Sequence, residues 1–114
     1  MNRAMASAIF MAAVLAALRL GQAMDCHTVD ISIASCLSYL QGGVAHPPME
    51  CCDSFRNLLR YTPTKQDRQT ACECLKVIAA RPDIKADVAV YLPRSCGLIS
   101  SFTISRDINC QNVV

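Results

Sequence analysis

Eight cysteines are the residues of this 114-residue chain whose type and spacing point to a definite chemistry. They are Cys26, Cys36, Cys51, Cys52, Cys72, Cys74, Cys96 and Cys110. An even number of cysteines in a short secreted chain is typical of a disulfide framework, here of up to four bridges. Spacing alone does not choose among the many possible pairings. A zinc site is the alternative, but the chain has no Cys-x-x-Cys pair, and secretion favours disulfides.

Other groups that could do chemistry do not form a catalytic pattern. His27 and His46 are isolated in the sequence, and every cysteine is expected in a bridge, so no nucleophile–base pair is suggested. Asp83 and Asp87 lie one helical turn apart, which is more typical of a solvated helix face than of an acid–base pair. We therefore expect a protein that is not an enzyme and that holds no metal or cofactor.

The segment that must position these cysteines is a helix beginning after Thr64. Thr64 is suited to be its N-cap, and Asp67 can answer it in a capping box and complement the helix dipole. Cys72 and Cys74 are separated by one residue, so at about 100° per residue they point roughly 200° apart. Each needs a different partner, and we expect the helix to be held on both sides. It should end at about Ala80, before Arg81 and Pro82.

Residues 1–23 have the features of a secretory signal peptide. Arg3 supplies a positive charge, Ala8 to Leu18 is apolar, and Gly21 and Ala23 are small residues at the positions that a signal peptidase reads. The apolar run is shorter than the ~20 residues that a membrane-spanning helix needs. Cleavage after Ala23 would leave 91 residues as one secreted domain, 24–114, with a net charge reduced from +2 to 0. A neutral protein is a poor binder of nucleic acid and has no strong attraction to anionic membranes.

Three further helices and a tail complete the predicted architecture. The first helix spans Thr28 to Leu40, with Thr28 as N-cap and Gly42 and Gly43 as the stop, although the alternation of Val29, Ile31 and Ile33 also allows a short strand. The second helix spans Met49 to Tyr61 and should bury Cys52, Phe55, Leu58 and Leu59. The fourth carries Ile84, Val88, Tyr91 and Leu92 on one face and ends at Pro93. After Cys96 we expect an irregular, apolar tail lying over the helices.

The cysteine order resembles the eight-cysteine pattern of plant non-specific lipid-transfer proteins of type 1, from Cys26 to Cys110. Thr64-Lys65-Gln66-Asp67-Arg68 fits the first pentapeptide of that family, and Glu73 supplies the polar residue that type 1 shows between its paired cysteines. The second pentapeptide is half kept: in Ser101-Phe102-Thr103-Ile104-Ser105 a Ser replaces Pro and Phe102 replaces Tyr. The same cysteine outline occurs in plant amylase and trypsin inhibitors.

The resemblance implies a fold and a disulfide pairing. The fold is an all-α, four-helix orthogonal bundle, bonded by disulfides, with an irregular C-terminal tail and an internal apolar tunnel. The pairing is Cys26–Cys74, Cys36–Cys51, Cys52–Cys96 and Cys72–Cys110. This pairing agrees with the requirement that neighbouring cysteines take separate partners.

The resemblance also implies a function: a monomeric protein that binds fatty acids, acyl lipids and phospholipids, contacts membranes transiently and supplies lipid monomers to the plant cell wall. Candidate wall residues are Leu58, Leu59, Leu75, Ile78, Val88, Leu92, Phe102 and Ile104, each of which could instead simply pack in the core. In the family the Arg at the position of Arg68 bonds a lipid carboxylate or phosphate; the alternatives are a pair with Asp67 or Glu73, or solvation. Phe102 lacks the hydroxyl that the family's Tyr offers to a head group.

Two other functions compete with the carrier. An inhibitor of amylase or proteases would bind an enzyme through an exposed loop and would need no cavity. A membrane-disrupting defence peptide would need a positive charge, which the mature chain lacks.

Overall fold

The computed structural model describes residues 24–114, and the proposed signal peptide, 1–23, lies outside them. The described residues form α-helices and 3₁₀ turns without a β-strand. The α-helices are α1 (Cys26–Ile33), α2 (Leu37–Leu40), α3 (Met49–Arg60), α4 (Lys65–Ala79), α5 (Ala86–Ala89) and α6 (Leu92–Ser95). The 3₁₀ turns are Ala34–Cys36, between α1 and α2, and Cys110–Asn112 in the tail. None of these helices combines the length and the apolar character that crossing a membrane requires.

Four disulfides link the helices in the pairing that the resemblance implied: Cys26–Cys74, Cys36–Cys51, Cys52–Cys96 and Cys72–Cys110. The helix α4 carries two of them on opposite sides. Cys74 ties α4 to the first residue of α1, and Cys72 ties it to the 3₁₀ turn of the tail. Because such links restrict the unfolded chain, each contributes roughly 2–4 kcal/mol to stability. All eight cysteines are used, so no thiolate remains to hold a metal ion.

The start of α4 follows the sequence prediction in part. Thr64 has extended backbone angles and its hydroxyl accepts the Asp67 amide at 3.0 Å, as an N-cap does. The Asp67 carboxylate does not complete a capping box among the described residues. It accepts the Met24 backbone amide at 3.4 Å instead, and so connects the beginning of α4 with the segment that precedes α1.

The first helix differs from its prediction at its start and in its middle, and it ends at Leu40 as predicted. Its N-cap is Asp25 rather than Thr28, since the Asp25 carboxylate accepts the Thr28 amide at 2.8 Å, and this bond lowers the pKa of Asp25 below its usual value. The predicted single helix is also divided by the 3₁₀ turn before α2. Gly42, with a φ of +79°, ends α2 in a Schellman motif in which Gly43 donates to the Ser38 carbonyl at 2.8 Å. Because residues 29–33 lie in α1, the alternative prediction of a short strand there is wrong.

The second and fourth predicted helices need smaller corrections. In α3 it is Cys51 that is fully buried, whereas Cys52 and Leu59 are half-buried. The fourth predicted helix is two short helices, α5 and α6, and Pro93 lies in the first turn of α6 instead of ending a helix. Proline is tolerated there because the amide that it lacks would have no partner within the helix.

The interior is one apolar cluster to which the helices and the tail all contribute. Its fully buried large side chains include Ile33, Leu40, Phe55, Leu58, Leu75 and Leu92 from the helices, and Phe102 and Ile104 from the tail. The predicted apolar tail over the helices is confirmed. Among residues 24–114, Thr62 is the one buried polar residue, and its hydroxyl donates to the Leu59 carbonyl at 2.8 Å.

We predict that Thr64→Ala lowers the free energy of unfolding by about 1 kcal/mol, since it removes the cap of α4. The measurement is guanidinium denaturation of the oxidised protein, followed by far-UV circular dichroism. Thr64→Ser, which keeps the hydroxyl, is the matched control and should lose much less. Equal losses in the two variants would show that the hydroxyl bond does not stabilise α4.

Candidate functional site

The eight apolar residues predicted to line a lipid site all belong to the single interior cluster. Six are buried, and Leu59 and Val88 are half-buried and packed against the others. No side-chain nitrogen or oxygen that is buried in the described part of the chain lacks a hydrogen-bond partner. A molecule entering this interior would therefore contact mainly hydrocarbon and disulfide sulfur, since the buried hydroxyls of Thr62 and Tyr39 are already bonded. Whether each residue is a wall or plain core stays open.

Two cavities reach the edge of this cluster. The larger has a volume of about 400 Å³ and lies between the α5–α6 segment and the tail; we call it the tail cavity. It is lined by Phe102 and, among others, by Val90, Tyr91, Arg94, Leu98 and Ile99. The second, of about 330 Å³, lies between α1 and the end of α4 and includes Ile78. Both volumes fall within the range of about 300–1,000 Å³ that is typical of small-molecule sites.

Arg68 lies at the point where the tail returns to α4, and it lines neither of these two cavities. Its Nε donates to the Val114 carbonyl at 2.8 Å, and its Nη1 donates to the Thr62 and Pro63 carbonyls at 3.0 and 2.9 Å. The ion pairs with Asp67 and Glu73, considered as alternatives, are not formed; the two ion pairs between described residues are Arg56–Asp53 and Arg81–Asp83. Arginine has five N–H donors, so the two on Nη2 remain free of the described residues.

Gln69, the next residue of α4, binds the same part of the tail. Its Nε2 donates to the Gln111 and Val113 carbonyls, each at 3.2 Å. Together with the Cys72–Cys110 bridge, these two neighbouring side chains fasten the end of the tail along α4. The sequence analysis did not predict these contacts, because a backbone carbonyl can be contributed by any residue and leaves no signal in the sequence.

The predicted exposure of Asp83 and Asp87 is confirmed, although Asp83 lies in the turn before α5 and not on a helix. Asp83 accepts Nε2 of Gln41 at 2.9 Å and pairs with Arg81 at 2.7 Å, and these contacts, that of Gln41 most, lower the pKa of Asp83. An ionised, exposed carboxylate is not a general acid near neutral pH. Asp87 is likewise exposed, and so are His27 and His46.

The residues around the tail cavity other than Phe102 were not predicted as site residues. Val90, Tyr91 and Ile99 are large apolar side chains that remain exposed, Ile99 completely. A possible signal was the apolar Leu98-Ile99 pair directly after Gly97, a residue that commonly ends helices. This pair lines a cavity only because the tail approaches α6, and the sequence does not reveal that approach.

Together, the fold and the interior define a class: a small helical protein, cross-linked by four disulfides, whose apolar centre carries no unpaired polar group. Residues 26–110 match the model of the protease inhibitor/seed storage/LTP family. The chain belongs to this family. Over 91 residues it is 47% identical to non-specific lipid-transfer protein A of Ricinus communis. The matched region covers 79% of this chain and 99% of that relative.

Solved structures of relatives share the fold. The structure of non-specific lipid transfer protein 1 from barley, in complex with a lysophosphatidylcholine, superposes with a TM-score of 0.72 at 37% identity and covers 80% of this chain and all of that one. The wheat non-specific transfer protein, complexed with two molecules of phospholipid, superposes with a TM-score of 0.71 at 42% identity and covers 79% of this chain and all of that one.

We predict that Arg68→Gln loosens the end of the tail without unfolding the protein, because it removes charge-assisted bonds to the Val114 and Thr62 carbonyls while the disulfides remain. Hydrogen exchange of the Val113 amide, measured by NMR, should become several-fold faster. Arg56→Gln is the matched control, since Arg56 pairs only with Asp53 on the surface, and it should leave that amide unchanged. Unchanged exchange in Arg68→Gln would mean that Gln69 and the disulfide hold the tail without Arg68.

Proposed function

We propose that this protein is a secreted carrier that binds fatty acids, acyl lipids and phospholipids and moves them without chemical change. The observation that carries the proposal is the composition of the interior: the buried side chains of residues 24–114 are apolar side chains, disulfides and the residues Thr62 and Tyr39, whose hydroxyls are already hydrogen-bonded. Such an interior can receive a hydrocarbon chain and would penalise a polar ligand. The wheat and barley relatives, which hold phospholipid and lysophosphatidylcholine, support the same class of ligand.

The disulfides explain how such a protein can open its centre. In a protein without cross-links, separating core side chains to admit a ligand weakens the contacts that keep it folded. Here α4 stays tied to α1 and to the tail by covalent bonds. Residues of the cluster such as Leu75 and Ile104 can then give up some of their contacts within the cluster and contact an acyl chain instead. Each CH₂ group buried in this way contributes about 0.8 kcal/mol, whatever the chain length.

Arg68 is the residue we propose for the polar end of the lipid. Its Nε and Nη1 are bonded to backbone carbonyls, which hold the guanidinium in place, and the two N–H groups of Nη2 are available to a carboxylate or phosphate oxygen. The conformational entropy of this long, flexible side chain is thus already lost in the folded protein, before a lipid binds. Binding of the head group would therefore add to chain burial without replacing it.

The setting we propose is extracellular, after removal of residues 1–23, with the delivery of lipid monomers to the plant cell wall as the role. The supporting features are the signal-peptide pattern, the four disulfides, which form in oxidising compartments, and the plant source of the relatives. The protein would act as a monomer, by binding alone.

The test of the carrier function is titration of the oxidised protein with a fluorescent fatty acid, together with inhibition assays on trypsin and α-amylase. We expect saturable binding of the fatty acid, displaced by lysophosphatidylcholine, and no inhibition of either enzyme. Inhibition without fatty-acid binding would favour the enzyme-inhibitor branch of the family instead. Leakage of dye from anionic vesicles at comparable concentrations would favour the defence peptide.

Arg68→Glu should weaken the binding of fatty-acid anions about tenfold or more, because it replaces a charge-assisted bond, typically of about 1.5–3 kcal/mol, by repulsion. The binding of a neutral acyl ligand such as a monoacylglycerol should change little. Arg68→Lys keeps the positive charge, so its affinity for fatty-acid anions should fall between that of the unmodified protein and that of Arg68→Glu. An equal loss for anionic and neutral ligands would assign Arg68 to holding the tail and not to the head group.

Phe102→Tyr tests the missing hydroxyl. Phe102 is only 2% exposed but lines the tail cavity, so a hydroxyl there could reach a lipid head group in the cavity. We expect a modest gain in affinity for fatty acid and lysophosphatidylcholine by isothermal titration calorimetry. A loss of stability without a gain in affinity would mean that the new hydroxyl is buried without a partner.

A further inference from the structure

Of the large apolar side chains that are exposed in residues 24–114, three line the tail cavity. Val90, Tyr91 and Ile99 are 37%, 53% and 100% exposed and line the same cavity. Scattered exposed apolar residues are normal on soluble proteins, whereas a cluster of them marks an interaction surface. We call these three residues, with Arg94, the apolar rim.

The backbone that presents Ile99 is rigid at its base. Gly97, with a φ of +67°, closes α6 in a Schellman motif: its amide donates to the Arg94 carbonyl at 2.9 Å, and the Leu98 amide donates to the Pro93 carbonyl at 2.8 Å. The Cys52–Cys96 disulfide ties the same turn to α3. The side chain of Ile99 therefore projects from a fixed turn, and its full exposure is built into the fold.

The charge of the apolar rim is positive. Arg94 is the one ionisable cation that lines the tail cavity, and no Asp or Glu lines it. Within residues 24–114 the Arg94 guanidinium forms no ion pair and no side-chain hydrogen bond. An exposed apolar tip beside an unpaired guanidinium complements a surface with hydrocarbon beneath a layer of phosphate groups.

We propose that the apolar rim is the surface that docks on a phospholipid bilayer, with Ile99 inserted below the head groups and Arg94 on a lipid phosphate. The proposal rests on the carrier function, since docking here would place the tail cavity and Phe102 against the source of the lipid. A second protein is a weaker fit, because a specific protein interface buries about 800 Å² on each partner, which three projecting side chains do not supply. The mature chain has no net charge, so the contact would be short-range and transient.

The absence of tryptophan from the chain makes a direct test possible. Ile99→Trp places a single reporter on the rim, and Ile31→Trp places one at an equally apolar exposed site that does not line the tail cavity, 64% exposed on α1. With phosphatidylcholine vesicles we expect a blue shift of the emission and quenching by brominated acyl chains for Ile99→Trp only. Equal quenching of the two reporters, or none at either, would overturn the proposal.

Removing side chains gives a second readout that does not depend on a new aromatic. Ile99→Ser should lower partitioning into the same vesicles about tenfold, and Ile31→Ser should not. Arg94→Gln should lower partitioning into vesicles that contain phosphatidylglycerol about fivefold, whereas Arg60→Gln, with the same change of charge on α3, should have little effect. Equal losses of partitioning in Arg94→Gln and Arg60→Gln would mean that the change in net charge alone explains the effect, and would contradict a role for the rim.

The docking surface and the carrier function fail in distinguishable ways. If docking is correct, Ile99→Ser slows the transfer of lipid between vesicles by a larger factor than it lowers the affinity for soluble fluorescent fatty acid. Absence of fatty-acid binding by the unmodified protein would defeat the carrier, whatever the vesicles show. A concentration-dependent dimer, detected by sedimentation and abolished by Ile99→Ser while vesicle binding persists, would make the rim a self-association surface and overturn the docking proposal.

Discussion

The structure depends on one covalent constraint: α4 is held from opposite sides by cysteines two positions apart. Cys74 binds it to the start of α1 and Cys72 binds it to the tail. Three of the four cysteines in these two links are themselves buried in the apolar cluster, but because the links are covalent, the position of the helices does not rely on side-chain packing alone. Stability and an adaptable interior, which usually conflict in small proteins, can thereby be combined in one molecule.

The tail gains its importance from the same constraint. It has almost no regular structure, yet it contributes Phe102 and Ile104 to the buried cluster and is fastened to α4 by Arg68, Gln69 and a disulfide. A segment held by side chains at its end and by apolar burial in its middle can shift locally without leaving the protein. It is therefore the natural boundary between the interior and the surroundings, and both cavity-lining Phe102 and the exposed Ile99 belong to this part of the chain.

Apart from the hydrogen-bonded hydroxyls of Thr62 and Tyr39, the polar side chains of the described residues lie at the boundary of the interior or outside it. Arg68 is fixed by carbonyl oxygens of the chain itself, and Arg94 stands beside exposed apolar residues. This arrangement separates two tasks of a lipid carrier. Burial of hydrocarbon requires no direction and tolerates different chains, whereas a guanidinium group at the edge is suited to bind a phosphate or carboxylate through directed bonds.

The sequence by itself determined the elements that local chemistry governs: the cap of α4 at Thr64, the end of α2 at Gly42, the apolar tail, and, through the resemblance of its cysteine order, the disulfide pairing. It failed where distant segments compete for the same groups. Asp67 accepts the Met24 amide rather than completing a capping box, and the bonds of Arg68 to the Val114 carbonyl and to carbonyls before α4 were not predicted. Only the tertiary structure decided these contacts and brought Ile99 beside Tyr91, because backbone carbonyls and loop approaches carry no residue-specific signal that a sequence could display.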